Sequence, residues 1–326
     1  MIDEQSFLTS VENRIDTLLT EVETDIPVSS GNDVLWYVRQ YTARRGKRLR
    51  PRLLARVAGA DGHISDALVD VAAATEILHL FALLHDDRID RTNRVDVDPE
   101  RIVSEERHEG LRVLGGDFLY TVGMQLLDHA VAEHSLSPRI VPLVRRVSLI
   151  TIAGQADDMV YLQHHDKKPG LDRLYTLYDA KTGYYSFVAP LTIGFLLSHR
   201  GTDASDSGIA GELARIERLG LLLGRLYQLK DDRGDVLDAL ESERLGTADV
   251  AHWEYNLLGT WLVDGQRFMK PESLVDRNAR RAVLETIDTD GFLDWCRLHE
   301  SELYTEIWQC SRHSPVPADV VKMAGE

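Results

Sequence analysis

Apolar residues recur three or four positions apart along most of this 326-residue chain, the spacing that lines one face of an α-helix. Ile209, Leu213, Ile216, Leu223 and Leu226 form one such stripe, and Ala73, Ile77, Leu80 and Leu84 form another. Alternation at strand period is scarce, and no Asn-Gly or Asp-Gly pair sits between alternating apolar runs as a hairpin would need. Most of the ten prolines fall where the helical pattern lapses, at Pro27, Pro51, Pro99, Pro138, Pro169, Pro271, Pro315 and Pro317. The polar stretches 91–107, 164–170, 199–208 and 265–272 read as loops, none of them long enough for an interdomain linker. The pattern therefore predicts an all-α chain of ten or more helices forming one domain over residues 1–326.

Composition narrows the partners. Fifty-three acidic and 37 basic side chains give a net charge of −16, which argues against nucleic acid and against anionic lipid as the main partner. An anionic substrate would have to meet local basic residues or a metal ion. Cys296 and Cys310, about 21 Å apart if they share a helix, are too distant to bridge. The acidic start, Met1-Ile2-Asp3-Glu4-Gln5, does not read as a signal peptide. No apolar run of about 18 residues predicts a spanning helix, so the expectation is a cytoplasmic protein without stable membrane insertion.

Two segments carry the chemistry. Residues 73–90 read AATEILHLFALLHDDRID, an apolar helix closing on Asp86, Asp87 and Asp90. Residues 224–235 read GRLYQLKDDRGD, where Asp231, Asp232 and Asp235 repeat the i, i+1, i+4 spacing one turn after Gln228. A lone Asp-Asp pair is commonly a solvated helix end. Two matching triads on strongly apolar helices are different, because like charges this close repel unless a cation neutralises them. Hard oxygen donors without Cys or paired His select Mg²⁺, or Mn²⁺, over zinc. Such ions bridge carboxylates to phosphate oxygens, so the triads point to a diphosphate ligand.

Cationic partners for that ligand are present. Gly46-Lys47-Arg48-Leu49-Arg50-Pro51 is a compact basic run just before a proline able to open a helix. Lys181-Thr182-Gly183-Tyr184-Tyr185 lies inside the otherwise apolar stretch 178–197, where it predicts a helix break with exposed carbonyl groups. The competing reading of Lys181 is a lysine whose stem covers apolar surface.

In this order the motifs resemble the trans-isoprenyl diphosphate synthases, the polyprenyl synthetase family, over roughly residues 41–249. GKRLRP at 46–51 matches the family's basic motif, with His79 beyond it; LLHDDRID carries the first aspartate-rich motif. Gly116-Asp117 and Gly154-Gln155 with Asp158 resemble its next two conserved pairs. AKTGYYSF at 180–187 matches the Lys-Thr segment, and YQLKDDRGD at 227–235 the second aspartate-rich motif. The resemblance implies an isoprenoid synthase-type helical bundle around a deep central cavity, usually homodimeric. It implies a prenyltransferase that condenses an allylic diphosphate with isopentenyl diphosphate. Three Mg²⁺ would be held by Asp86, Asp87, Asp90, Asp231, Asp232 and Asp235. Lys181, Thr182, Gln228 and Tyr185 would serve ionisation; Lys47, Arg50, His79, Arg94, Arg244 and Gln155 would bind substrate. Phe81, about one turn below Asp86, would floor the product channel, and the small Ala82 beside it favours geranylgeranyl over farnesyl diphosphate.

Departures keep other readings open. The family's Arg-Arg pair after the first triad is replaced by Val95-Asp96, and the lysine expected near position 254 falls among Glu254, Tyr255 and Asn256. Losing two arginines toward a triply negative ligand would cost several kcal/mol at about 1.5–3 kcal/mol per charged hydrogen bond. A class I terpene synthase-like cyclase or diphosphate lyase on the same fold is therefore the alternative. A non-catalytic partner subunit, which would not need six carboxylates, ranks last.

Overall fold

The computed structural model describes residues 3–26, 33–44, 46–59, 64–89, 104–160, 170–199, 207–241, 255–264 and 287–325. Those residues form twelve α-helices and one π-helical segment, with no strand among them. The helices are α1 (Glu4–Asp25), α2 (Asp33–Thr42), α3 (Leu49–Ala58), α4 (Asp66–Ile89), α5 (Glu105–Glu133), α6 (Ile140–Val160) and α7 (Leu171–Tyr178), followed by the π segment Asp179–Val188. Then come α8 (Ala189–Ser198), α9 (Ser207–Glu241), α10 (Tyr255–Asp264), α11 (Thr289–Ser311) and α12 (Ala318–Gly325). Contacts group the chain into two compact units, residues 1–142 with 193–202, and residues 143–192 with 203–326.

The first unit is built on α4. Val71, Ala72, Ala73, Ala74, Ile77 and Leu84 are wholly buried, so α4 is apolar nearly all round rather than on one stripe, as an enclosed helix must be. The run Ala72-Ala73-Ala74 keeps its girth small where α1, α3 and α5 pack against it. Among the described residues α4 is the one helix long and apolar enough to cross a membrane, with a mean hydropathy of 1.8 over its most apolar window. The sequence pattern had not singled it out. Since 67% of that window is buried inside the protein, it is a core helix. Local signals end the elements as chemistry demands: the Ser104 hydroxyl caps α5 by accepting from the Arg107 N–H at 3.2 Å, and Pro51 sits in the first turn of α3, where its missing N–H has no partner to lose.

The second unit is built on α9, whose Ile216, Leu219, Leu223, Leu226 and Leu229 are wholly buried. The π segment, α10, α11 and α12 pack around it. The helix break predicted at Lys181-Thr182-Gly183 is instead continuous helix of wider winding, ten residues of π-helix between α7 and α8. The reason is close packing. A Cβ on Gly224 of α9 would lie 2.4 Å from the Cα of Gly183, and one on Gly154 of α6 would lie 2.7 Å from the backbone of Ala180 and Lys181. Backbones brought this near leave the segment no room to bend away, and it absorbs its extra residue by winding wider. Asp179 opens the segment and receives both Nε and Nη2 of Arg225, at 2.7 and 2.6 Å. Burial raises the Asp179 pKa, and the Arg225 pair draws it back down.

Both cysteines lie on α11 and both are free, Cys296 buried and Cys310 half-buried. Burial pushes the Cys296 thiol up to about 12, so it packs as an inert small hydrophobe.

Candidate active site

Each unit carries one of the aspartate clusters, on the C-terminal part of its central helix. In the first unit Asp86 is half-buried, whereas Asp87 is 2% exposed and accepts the Tyr41 hydroxyl at 2.9 Å. Tyr41 comes from α2 and is itself buried. Asp90 and Arg94 lie outside the described residues. Lys47 is exposed, and Arg50 and His79 are half-buried, His79 two turns before Asp86 on α4. Phe81 is half-buried and meets Tyr120 of α5 edge-on at 5.1 Å and His85 at 5.6 Å. Asp117 lies 3.6 Å from His85 Nε2.

The second unit holds a connected network. Tyr178 donates its hydroxyl to Asp232 Oδ2 at 2.6 Å, and Gln228 Nε2 donates to Asp232 Oδ1 at 2.6 Å. Thr182 donates to Gln228 Oε1 at 2.5 Å. Lys181 Nζ donates to Asp158 Oδ2 at 2.6 Å, and Asn256 Nδ2 holds the other carboxylate oxygen at 2.6 Å. Lys181 is thus no freely solvated lysine; its side chain is half-buried and its ammonium paired. Burial drives the Asp232 carboxyl up to about 8, against the pull of its bonds to Tyr178 and Gln228 and of the Lys181 charge. The Tyr178 hydroxyl is pushed up by burial and by the same carboxylate. Around this core Asp231 is exposed, while Asp235, Gln155 and Tyr185 are half-buried. Arg244 lies outside the described residues.

The two clusters share a feature their spacing concealed. In both, the middle aspartate turns inward to a tyrosine hydroxyl, while Asp86, Asp231 and Asp235 stay more accessible. The i, i+1, i+4 spacing implies three ligands per cluster, but adjacent helix positions point about 100° apart. Among the described residues, which exclude Asp90, no group of three or more Asp, Glu, His or Cys is gathered to hold an ion. The donor set still fits Mg²⁺: carboxylate oxygens alone, partly solvated at Asp86, Asp231 and Asp235, without a thiolate or paired imidazole to favour a softer metal.

Sequence reading missed Tyr41, Tyr178 and Asn256. Tyr178 is 54 residues from Asp232 and Asn256 is 98 from Asp158, separations at which no periodicity signals contact. The one available hint was Asn256, which occupies the stretch where a lysine was sought.

The chain resembles known proteins along most of its length. The polyprenyl synthetase family model matches residues 33–251. A geranylgeranyl diphosphate synthase of Methanosarcina mazei is 25% identical over 252 residues, 76% of this chain and 73% of that protein. Another, from Cereibacter sphaeroides, is 30% identical over 224 residues, 68% of this chain and 71% of its own. The crystal structure of geranylgeranyl pyrophosphate synthase from Corynebacterium glutamicum, complexed with isoprenyl diphosphate and magnesium, superposes with a TM-score of 0.70 at 19% identity, covering 99% of this chain and 97% of that one. Together with the all-α isoprenoid synthase fold, these matches show that the chain belongs to the polyprenyl synthetase family of prenyltransferases.

Proposed function

We propose that this enzyme condenses isopentenyl diphosphate with an allylic diphosphate, geranylgeranyl diphosphate being the favoured product and farnesyl diphosphate the next. The observation that carries the reading is the Thr182–Gln228–Asp232 chain beside the Lys181–Asp158 pair, which presents buried polar groups from an apolar wall. The accessible carboxylates of Asp86, Asp231 and Asp235 would hold Mg²⁺, which would supply positive charge to the departing diphosphate. Lys181 adds a fixed cation whose position Asp158 and Asn256 set, and the network around it is organised before substrate arrives. The allylic C–O bond breaks with its electron pair on diphosphate. The isopentenyl double bond attacks the carbocation, and a proton then leaves to the released diphosphate. Lys47, Arg50 and His79 would hold the isopentenyl diphosphate, with Arg94 and Arg244 assisting on the two phosphate groups. A cytoplasmic location fits soluble, charged substrates.

Phe81 and Tyr120 form an aromatic pair that would limit chain growth. A cyclase or lyase reading has less support, because the named relatives are prenyl diphosphate synthases. We further infer a homodimer. Leu149, Ile152 and Met159 are 70%, 56% and 49% exposed on α6, spaced as one helical stripe, and an apolar stripe of this kind needs a cover.

The test is product analysis with Mg²⁺ and each of dimethylallyl, geranyl and farnesyl diphosphates, with and without isopentenyl diphosphate. An elongated diphosphate formed only with both substrates is the expected result. A hydrocarbon or alcohol from a single diphosphate would overturn it and identify Val95-Asp96 as the mark of a lost second substrate.

A further inference from the structure

The basic run Lys47-Arg48-Leu49-Arg50 does not use its charges alike. Lys47 is exposed and Arg50 half-buried, but Arg48 is only 7% exposed. Its backbone is left-handed, with φ of 49° and ψ of 41°, a conformation that penalises a side chain with a Cβ. Its guanidinium points into the first unit: Nη1 donates to Glu76 Oε1 at 2.7 Å, Nη2 to the Arg44 carbonyl at 3.2 Å, and Nε lies 3.5 Å from Glu12. Glu76 is 3% exposed. Neither Arg48 Nε nor Glu76 Oε2 has a hydrogen-bond partner among the described residues.

An arginine meant to grip a phosphate from solvent needs none of this. Nor does stability account for it, because buried ion pairs left partly unsatisfied are often no better than apolar replacements. Location does account for it. Glu76 sits on α4 one turn before His79 and ten residues before Asp86, about 15 Å along a helix axis. Fastening Arg48 to Glu76 therefore ties the backbone that carries Lys47 and Arg50 to the helix that presents His79 and Asp86.

We propose that Arg48 and Glu76 form the positioning pair of the homoallylic diphosphate subsite, a role that rests on the reading of Lys47, Arg50 and His79 given above. The pair does not touch the substrate. It sets where the flanking cations stand, so disturbing it loosens one substrate and spares the other.

Steady-state kinetics with both substrates test this in Glu76→Gln, Arg48→Lys and the double variant Arg48→Met/Glu76→Leu. The expected result is a rise of about tenfold or more in KM for isopentenyl diphosphate. The KM for the allylic diphosphate and kcat should stay within about threefold. The double variant removes the buried charges together, so its melting temperature should match or exceed that of the wild type while its KM for isopentenyl diphosphate remains high. That split is one a merely structural pair would not produce. An unchanged isopentenyl KM in a folded variant, or both KM values rising together, sinks the positioning role alone. A wild-type enzyme that forms no elongated product removes the subsite and the pair with it.

Discussion

A tyrosine hydroxyl against each middle aspartate is the feature on which the chemistry at single residues turns. Tyr178 and Tyr41 hold Asp232 and Asp87 in one orientation, and partners of this kind steady the neighbouring ligands of an ion. Tyr178→Phe should therefore weaken Mg²⁺ activation by about 10–100-fold without unfolding the chain. A titration of activity against Mg²⁺ reads this directly; an unchanged half-saturating concentration would refute it. His108 offers a separate test, one of stability rather than of metal binding. It is buried, its Nε2 lies 2.9 Å from the Tyr37 hydroxyl, and burial with Arg112 nearby lowers its pKa while Glu105 and Glu109 pull the other way. A folded pKa below the unfolded value means that the unfolded chain takes the proton more readily. The contribution is thus complete above about pH 6.5 and fades as pH falls toward the folded pKa. Urea midpoints should decline between pH 7 and pH 5, and His108→Gln should flatten that decline.

Helices explain where these residues stand. The π segment puts Lys181 and Thr182 within reach of Asp158 and Gln228, and it is wedged by glycines on the helices that cross it. Gly224→Val has no space, since even a Cβ would strike the Gly183 backbone. The expected cost is about 1–3 kcal/mol from overpacking, with kcat falling more than stability because the Lys-Thr pair shifts. Circular dichroism melts beside kcat measurements separate the two effects, and wild-type kcat in the variant would contradict the account. α4 plays the corresponding part in the first unit. Largely buried, it acts as a support along which Glu76, His79 and Asp86 stand at set intervals.

For the whole molecule the questions are charge and association. A net charge of −16 leaves substrate capture to local cations and bound metal rather than to a general field. The apolar stripe on α6 is where association would reside. Leu149→Glu with Ile152→Glu places two charges on it, and sedimentation should then report a monomer where the parent chain is a dimer. If the parent chain already sediments as a monomer, the homodimer is wrong.

All-helical structure, the two clusters and the Lys-Thr segment were legible without coordinates because each depends on spacing within one helix. Ile216, Leu223 and Leu226, and likewise Ala73, Ile77 and Leu84, are buried as their period demands, and carboxylates one turn apart repel whatever surrounds them. What periodicity could not convey was direction across helices. Whether Asp232 faces solvent or Tyr178, whether Arg48 grips a ligand or Glu76, and whether Lys181 is solvated or paired with Asp158 depend on residues tens of positions away. The same limit applied at Gly183, where local chemistry implied a break and only the nearness of Gly224 and Gly154 enforced a π-helix. Spacing along a chain states which groups share a face; packing between helices decides what that face meets.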